Sequence, residues 1–362
     1  MPKVDIVDLF LMMKKLDATD LHLAVNFAPI FRVRKELVEI PNLEPLNAED
    51  IKRMLFTIMN DAQRSLFEQK LEHDFSYGIP ELGRFRVNAF YQSGSVAIAI
   101  RRIPFEVPTP QALGVPRIAL DLINSPRGLI LVTGPTGQGK STTIASLINE
   151  LNKTRKYHII TIEDPIEYVF PRGKSFIMQR EVGSDTYSFP NALRSVLRED
   201  PDVIFVGEMR DYETIATTLT AAETGHLVFA TLHTNSAAQS IDRIVDVFPP
   251  YQQNQVKSQL ASVLLAIISQ QLIPTADGKG MVLAAEVLIA DSAIRSLIRD
   301  GRTQEIPNAM LAGRNKGMQT MEEALIDLVA AHKITKEHAE YYAFNRDSLR
   351  TLMKSKLTEE AV

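Results

Sequence analysis

Eight consecutive residues restrict the folds open to this chain more than any other segment: Gly134-Pro-Thr-Gly-Gln-Gly-Lys140-Ser141. Their pattern is G-x-x-x-x-G-K-S, the spacing of a loop whose backbone N–H groups surround phosphate oxygens. The apolar run Gly128–Thr133 precedes the loop, and helical spacing follows it at Ile144, Leu147, Ile148 and Leu151. A strand, this loop and a helix, in that order, predict an α/β domain that binds phosphate.

The chemistry of such a loop predicts ATP and Mg²⁺ as cofactors. Lys140 can reach the β and γ phosphates, and the Ser141 hydroxyl can ligate Mg²⁺. A glycine-rich turn that binds nothing is the alternative, and the flanking strand and helix disfavour it. Gln138 is bulky here, and we expect it to be tolerated because the loop acts through its backbone. The predicted nucleotide contacts in this segment are Gly134, Pro135, Thr136, Gly137, Gln138, Gly139, Lys140, Ser141 and Thr142.

The composition is that of a globular protein without thiol chemistry. Of the 362 residues, 45% are hydrophobic and none is cysteine, which excludes disulfides and thiolate metal sites. The net charge of −4 weighs against a nucleic-acid partner, because phosphate neutralisation supplies most of that affinity. The N-terminus lacks the pattern of a signal peptide, and the most apolar stretch, Leu260–Ser269, is shorter than the ~20 residues that span a bilayer. We therefore expect a cytoplasmic protein.

Two regions of different pattern divide the sequence. Residues 1–103 mix helical spacing with short alternating strands, two of them around a turn at Ser93-Gly94, and predict a small α+β domain. Four prolines within 104–117 predict a connector without regular structure. Residues 118–345 repeat strand, turn and helix, which predicts a parallel sheet covered on both faces and a helical C-terminal lobe. Residues 346–362 are predicted to form a C-terminal tail.

The second region contains several predicted elements with definite limits. Continuous apolar runs predict strands at His158–Ile162, Val203–Val206, Leu227–Leu232 and Met281–Ile289. From about Tyr251 the chain is predicted to be mainly helical. One helix of five turns is predicted from the spacing of Val256, Leu260, Val263, Leu264, Ile267, Ile268 and Leu272.

Two glutamates follow predicted strands where a phosphate loop needs carboxylates for Mg²⁺ and for the attacking water. Glu163 follows the strand at 158–162, and Glu208 follows the strand at 203–206. Gly207 occupies the position where an Asp commonly precedes the second glutamate. We therefore predict that Glu208 serves the metal through water and that Glu163 polarises the attacking water. A helix cap or a surface carboxylate is the alternative for each.

Polar residues flank the predicted strand at 227–232. Thr231, His233 and Thr234 lie at its end and His226 at its beginning, and these side chains are candidates for sensing the γ-phosphate. A single histidine is more often structural, so His233 is the stronger candidate of the two.

Four motifs occur in a fixed order: the phosphate loop, Ile162-Glu-Asp-Pro-Ile-Glu167, Val206-Gly-Glu-Met-Arg-Asp211 and Thr224-Gly-His-Leu-Val-Phe-Ala-Thr-Leu-His233. They resemble the Walker A, Asp box, Walker B and His box of the secretion ATPase superfamily, which drives type II secretion and type IV pili. Arg84-Phe-Arg-Val-Asn88 and Ile100-Arg-Arg-Ile-Pro104 resemble arginine-bearing strands of its PAS-like N-terminal domain. The resemblance runs from about Asp5 to Asn345 and implies a RecA-like ATPase core behind that smaller domain.

The segment Ala293–Asp300 is similar to a C-terminal motif of one branch, the PilT family of type IV pilus retraction ATPases. The chain lacks the four-cysteine module and the longer N-terminus of assembly and secretion motors, which agrees with this branch. It departs from the family pattern at Arg34-Lys35, where a tight Asp-Gly turn is usual, and at Ser296 and Asp300, where Asn and Glu are usual. Arg295 and Arg299 are four residues apart, and we expect them on an exposed face. A solvated charged face is the commoner reason for such a pair, and the resemblance favours contact with a partner or with another part of the ring.

The resemblance implies a homohexameric ring that binds ATP between subunits. It further implies a peripheral position at the inner membrane, where the ring would turn the pilus platform protein so that pilin leaves the fibre, with a paralogous retraction ATPase as a candidate partner. Guanidinium groups stay charged and bind phosphate oxygens in pairs, although surface salt bridges are their ordinary role. The arginines implied around the nucleotide are Arg84, Arg101, Arg194 and Arg210.

Three other functions remain open at this point. An assembly or type II secretion ATPase would run the opposite way, and the missing cysteines disfavour it. A nucleic-acid translocating ring is disfavoured by the net negative charge. A regulatory homologue that hydrolyses ATP poorly is disfavoured because Lys140, Glu163 and Glu208 are all present.

Overall fold

The computed structural model describes residues 4–34, 36–40, 43–79, 82–103 and 106–359. Its contacts divide the chain into two compact units. The first comprises Met1–Glu106 with Glu167–Val169, and the second comprises Val107–Ile166 with Phe170–Val362. Lys35, half of the departure noted at residues 34–35, and Pro104, at the start of the predicted connector, lie outside the described residues.

The first unit is an antiparallel sheet of six strands with three helices. In the sheet the strands lie in the order β3-β2-β1-β6-β5-β4. Ser93 and Gly94 both have positive φ and join Gln92 to Ser95, as a tight hairpin turn requires, so the predicted hairpin is confirmed. The elements are α1 (Ile6–Lys15), β1 (Asp20–Leu23), β2 (Ile30–Val33), β3 (Glu36–Glu39), α2 (Ala48–Ile58), α3 (Asp61–Lys70), β4 (Glu72–Ile79), β5 (Gly83–Gln92) and β6 (Ser95–Ile103).

The second unit is built on a sheet of seven strands in the order β13-β12-β7-β11-β10-β8-β9. All neighbours pair in parallel except β12 and β13, so the α/β fold class is confirmed with one antiparallel edge strand. The predicted limits of β7, β10, β11 and β13 match the structure. The strands are β7 (Gly128–Thr133), β8 (His158–Glu163), β9 (Phe176–Glu181), β10 (Val203–Val206), β11 (Leu227–Leu232), β12 (Leu264–Pro274) and β13 (Met281–Ile289).

Helices cover both faces of this sheet, because each central strand is buried on both sides. Alternate residues of β7 enter different hydrophobic clusters, Leu129 and Leu131 on one face and Ile130 and Val132 on the other. In the part of the chain that the structure describes, no helix is long and apolar enough to cross a membrane. The helices are α4 (Pro110–Leu113), α5 (Arg117–Leu122), α6 (Lys140–Thr154), α7 (Phe189–Val196), α8 (Tyr212–Glu223), α9 (Ala237–Asp246), α10 (Pro250–Val263), α11 (Ser292–Asp300), α12 (Ile306–Ala312), α13 (Met321–Ala330), α14 (Lys336–Tyr342) and α15 (Arg346–Glu359).

The prediction of one long helix across residues 256–272 is wrong. Helix α10 ends at Val263, and Leu264 begins β12, which pairs in parallel with β7 and antiparallel with β13. The residues from Leu264 to Ile268 are almost all buried, and a strand apolar on both faces places apolar residues at helical spacings as well.

Two predicted irregular segments contain helix. Within the connector, Pro110 occupies the first position of α4, where a missing N–H costs nothing, and the Thr109 hydroxyl accepts from Ala112 N. The prediction that 104–117 contains no regular element is therefore wrong. In the predicted tail, residues 346–359 form α15, and Leu349 is fully buried in a cluster with Leu325 of α13.

Candidate functional site

The phosphate loop has the backbone that its glycines allow. It leaves β7 at Thr133 and enters α6 at Lys140. Gly134, Gly137 and Gly139 have φ of 145°, 79° and 76°, which other residues rarely adopt. No side chain caps the first turn of α6, so its backbone N–H groups remain directed at the loop. The segment therefore forms an anion site from main-chain donors.

The Lys140 ammonium lies inside the curve of the loop. Its Nζ donates to Gly134 O at 2.8 Å and to Pro135 O at 2.9 Å, and it lies 3.4 Å from His233 Nδ1. Only 7% of the residue is exposed. A buried positive charge at this position can bind phosphate oxygens directly.

His233 lies between the loop and Glu208. Its Nε2 is 2.8 Å from Glu208 Oε1, and its Nδ1 faces the Thr136 hydroxyl at 3.3 Å and Lys140 Nζ. An ammonium can only donate, so Nδ1 accepts in the contact with Lys140, and Nε2 faces the Glu208 carboxylate. The imidazole thus connects the glutamate that follows β10 to the phosphate loop.

Glu208 is held as a carboxylate by its neighbours. Burial raises its pKa, but the hydrogen bond from Arg210 Nε and the contact with His233 outweigh burial, so the pKa of Glu208 lies below its ordinary value. Glu208 is therefore ionised at neutral pH, as a metal-directed carboxylate must be.

Gly207 lies against the backbone at the end of β8. A Cβ there would lie 3.0 Å from Ile162 O and 3.2 Å from Glu163 Cα. Gly207 N also donates to Ile162 O at 2.8 Å, so β10 and β8 stay in close contact at their ends. An Asp at this position would require the end of β8 to move by a few tenths of an ångström.

Glu163 is buried at the end of β8. Its Oε1 accepts from Thr161 Oγ1 at 2.7 Å and from Gln179 Nε2 at 3.1 Å. Gln179 lies on β9, and its Oε1 accepts from Phe170 N at 3.3 Å. Gln179 was not predicted as a site residue, because its position opposite Thr161 follows only from the register of β8 and β9.

The structure does not bring all the predicted residues together. Arg210 joins Glu208, whereas Arg194 of α7 pairs with Glu213 of α8. Arg84 and Arg101 belong to the first unit, where Arg101 Nε donates to Asp20 Oδ1 at 2.9 Å.

His226 lies at the opposite end of β11 from the phosphate loop. It precedes Leu227, which pairs with Gly128 at the start of β7, whereas His233 follows Leu232, which pairs with Thr133. The six residues of β11 span roughly 17 Å from one end of the strand to the other. The His226 Nδ1 contacts Ala221 O at 2.9 Å. The prediction that His226 joins the phosphate site of its own chain is therefore wrong.

Three buried hydroxyls beside the loop, those of Thr133, Ser240 and Ser269, were also missed. Thr133 Oγ1 at the end of β7 contacts Ser269 Oγ of β12 at 2.8 Å and Ser240 Oγ of α9 at 3.4 Å. Ser240 Oγ in turn contacts Thr234 Oγ1 at 2.6 Å, next to His233. Ser269 was hidden because the sequence reasoning placed it in a helix.

Arg295 of α11 differs from the exposed partner-binding residue that we predicted. Its guanidinium donates to Ala261 O, to Ser262 O at 2.8 Å and to Leu264 O at 2.8 Å, the carbonyls at the junction of α10 and β12. Burial, and then the charge of Arg299, lower the pKa of Arg295. Arg299 alone is exposed, so the pair does not form one surface.

We expect Arg295→Ala to lower stability. It removes charge-assisted hydrogen bonds to three carbonyls, which corresponds to about 2 kcal/mol. For a unit of this size the midpoint of thermal unfolding should fall by roughly 4–8 °C. The matched variant Arg299→Ala, on the same helix but exposed, should change it by less than about 2 °C. Equal midpoints for the two variants in calorimetry would contradict this assignment.

The donors around the loop suit Mg²⁺ bound together with phosphates. Among the described residues there is no cluster of three or more His, Asp or Glu side chains that could hold a metal alone. Mg²⁺ usually keeps several waters and takes one or two protein oxygens beside those of the phosphates. The Ser141 hydroxyl in the first turn of α6 and the ionised Glu208 could supply such oxygens.

Comparison with known proteins shows that the chain is similar to secretion system and pilus retraction proteins. The family model described as Type II/IV secretion system protein matches residues 16–361. A twitching motility protein of Neisseria gonorrhoeae is 50% identical over 321 residues, covering 89% of this chain and 86% of its own. The type IV pilus retraction ATPase PilT of Pseudomonas aeruginosa is 49% identical over 336 residues, covering 93% and 97%. The crystal structure of the pilus retraction motor PilT with bound ADP superposes with a TM-score of 0.89 at 48% identity, covering 96% and 99%.

Proposed function

This chain belongs to the type II/IV secretion system protein family, and on that premise we propose that it is an ATP-hydrolysing motor that retracts type IV pili. The carrying observation is the likeness over nearly the whole chain to a retraction ATPase and to a twitching motility protein. The same residues that this likeness covers include the complete phosphate loop with Lys140, His233 and Glu208 around it.

Nucleotide binding uses the loop from Gly134 to Thr142. The backbone N–H groups of the loop and the first turn of α6 receive the phosphates, and Lys140 Nζ exchanges the carbonyls of Gly134 and Pro135 for phosphate oxygens. Because His233 Nδ1 accepts from Lys140, the exchange also changes the hydrogen bonding of His233. His233 thereby reports phosphate binding to Glu208, the role that we propose for a γ-phosphate sensor.

Mg²⁺ would be held by the Ser141 hydroxyl and, through water, by Glu208. Bound there, the ion neutralises charge on the β and γ phosphates. Arg210 keeps Glu208 ionised, since its guanidinium donates directly to Oε1. The protein contributes an ionised acceptor in a fixed position.

Glu163 is proposed as the group that polarises the attacking water. Thr161 and Gln179 both donate to Oε1, which fixes the orientation of the carboxylate that would take the proton of the water. The closeness of Gly207 to the Glu163 backbone holds this carboxylate beside the end of β10. Glu163 and Glu208 thus take different roles at adjacent strand ends.

The work of the motor is proposed to be removal of pilin from the base of the fibre. The chain would act in the cytoplasm, peripherally at the inner membrane, on the pilus platform protein, with a paralogous retraction ATPase as a further partner. Assembly or type II secretion is the alternative output of the same chemistry. No nucleic-acid partner is proposed.

Deletion of the gene tests the direction of the motor. We expect long fibres that do not retract and loss of twitching, restored by the wild-type chain but not by its Lys140→Ala variant. Fluorescently labelled fibres and colony spreading measure the two effects. Cells without fibres would instead identify an assembly motor, and normal retraction would refute both.

A homohexamer with nucleotide between subunits is also proposed. Arg101 pairs with Asp20 and Arg194 pairs with Glu213, and we propose that a second subunit completes the nucleotide site with arginines of this kind. Arg101 is 71% exposed in its side chain. Light scattering with Mg²⁺ and a non-hydrolysable ATP analogue should give a mass near six chains, and a monomer at high concentration would rule the ring out.

A further inference from the structure

Strand β12 contacts the phosphate loop through two glutamines. Gln138 in the loop accepts with its side-chain Oε1 from Leu272 N at 2.5 Å. Its backbone carbonyl accepts from the side chain of Gln270, Nε2 to O, also at 2.5 Å. The two residues are 132 positions apart, and each uses its amide side chain on the backbone of the other segment.

The glycines of the loop lie against the same strand. A Cβ on Gly134 would lie 2.5 Å from Gln270 O, closer than any real contact, so the loop begins directly on the backbone of β12. A Cβ on Gly139 would lie 3.6 Å from Gln270 Nε2 and from Leu272 Cδ1. The beginning and the end of the loop therefore both face Gln270, and Gln138 bonds between them.

Gln270 lowers the stability of the fold through its buried side-chain oxygen. It is 1% exposed, and its Oε1 is buried without a hydrogen bond among the described residues. The amide cannot be reversed, because the acceptor Gln138 O requires the NH₂ group on that side. An unsatisfied buried oxygen destabilises a protein, and an apolar residue of similar size avoids that cost. The contacts that Gln270 makes with the loop offer a reason for a polar side chain at this buried position.

We propose that Gln138 and Gln270 are positioning residues that clamp the phosphate loop onto β12 in the shape that accepts the nucleotide phosphates. The inference rests on the proposed nucleotide site and adds β12 to it. The expectation that Gln138 is merely tolerated is replaced by a specific role for its side chain. Neither glutamine touches the reacting atoms.

A clamp of this kind acts on affinity more than on chemistry. A loop already held in its binding shape loses less conformational freedom when phosphate binds. The same loop holds the phosphates before and during hydrolysis, so loosening it weakens ground state and transition state alike. The expected signature is a raised KM for ATP with kcat nearly unchanged.

Two near-isosteric variants test the clamp. Gln138→Met keeps the length of the side chain and removes the acceptor, and Gln270→Leu removes the donor with its unsatisfied oxygen. Each should weaken Mg·ADP binding, measured by titration calorimetry on the full-length chain, by roughly three- to ten-fold, the equivalent of one lost hydrogen bond. The loss of Mg·ADP affinity in the double variant should be smaller than the product of the losses in the two single variants, because both hydrogen bonds hold the same loop.

The matched control is Gln271→Leu. Gln271 is the next residue of β12 and faces the opposite side, where its Nε2 lies 3.4 Å from Tyr342 O. The Gln271→Leu variant should bind Mg·ADP with wild-type affinity. Gln270→Leu should also unfold at the same temperature as the wild type or higher, which a residue with only a structural role would not do.

Three outcomes decide the matter. Weaker Mg·ADP binding by both clamp variants, at a thermal midpoint no lower than that of the wild type and at unchanged kcat, supports the clamp. Wild-type affinity in both, or a lower midpoint as the sole effect, overturns it and leaves the nucleotide site intact, provided that Lys140→Ala still abolishes binding. Failure of the wild-type chain to bind Mg·ADP would instead overturn the proposed function.

Discussion

Replacing Lys140 by alanine is expected to reduce ATP turnover by roughly 100-fold or more, since preorganised charge at the transferred phosphate is a large term in phosphoryl transfer. The ammonium is nearly buried and donates to the loop carbonyls of Gly134 and Pro135, with His233 Nδ1 at 3.4 Å. The fold should persist, because β7 and α6 are held by apolar side chains on both faces of the sheet. Steady-state phosphate release and circular dichroism check the two parts.

Lys153→Ala is the matched control for that experiment. Lys153 lies in the last turn of the same helix and is exposed, so it should leave turnover within error of the wild type. A folded Lys140→Ala protein with ordinary turnover would show that the phosphate loop is not the hydrolytic site.

Replacing Glu163 by glutamine is expected to lower turnover by about 10²–10⁴-fold while ATP stays bound, because an amide cannot take the proton of the attacking water. Thr161 and Gln179 can still donate to the amide oxygen, so the side chain should remain in place. Filter retention of radiolabelled ATP after removal of free nucleotide measures the trapped complex. Glu150→Gln, on the outer part of α6, serves as the charge-matched control.

Glu208→Gln should behave differently. Its low pKa marks it as the ionised partner of Arg210, and loss of that charge should raise the Mg²⁺ concentration needed for half-maximal turnover. Trapping of ATP by Glu208→Gln, together with a changed Mg²⁺ requirement in Glu163→Gln, would mean that the two roles are exchanged.

The parallel core was predictable because of how its strands are buried. A strand covered on both faces needs apolar residues throughout, so β7, β10 and β11 stand out as short uninterrupted runs between polar loops. The same property defeated the prediction at residues 264–272. An uninterrupted apolar run fits a helical spacing as well as a strand, and α10 runs into β12 with no intervening loop.

The site was predictable where residues are close in sequence to a strand end, and hidden elsewhere. Glu163, Glu208 and His233 follow strands that end at one edge of the sheet, which parallel topology places together. Gln179 and Gln270 depend on strand neighbours that pair only in the folded sheet. His226 was misplaced because a motif groups residues by sequence, whereas a six-residue strand separates its two ends.

The strand order has a consequence for synthesis on the ribosome. Strand β7 lies between β11 and β12, and Leu129 pairs with Leu264, which is translated 135 residues later. At roughly 5–20 residues per second this interval is about 7–27 s. During this interval β7 lacks β12 as a neighbour at one edge, and its apolar faces are not yet fully buried. The nascent chain therefore presents this apolar strand early and buries it late, which makes that interval a stage at which chaperones can bind it.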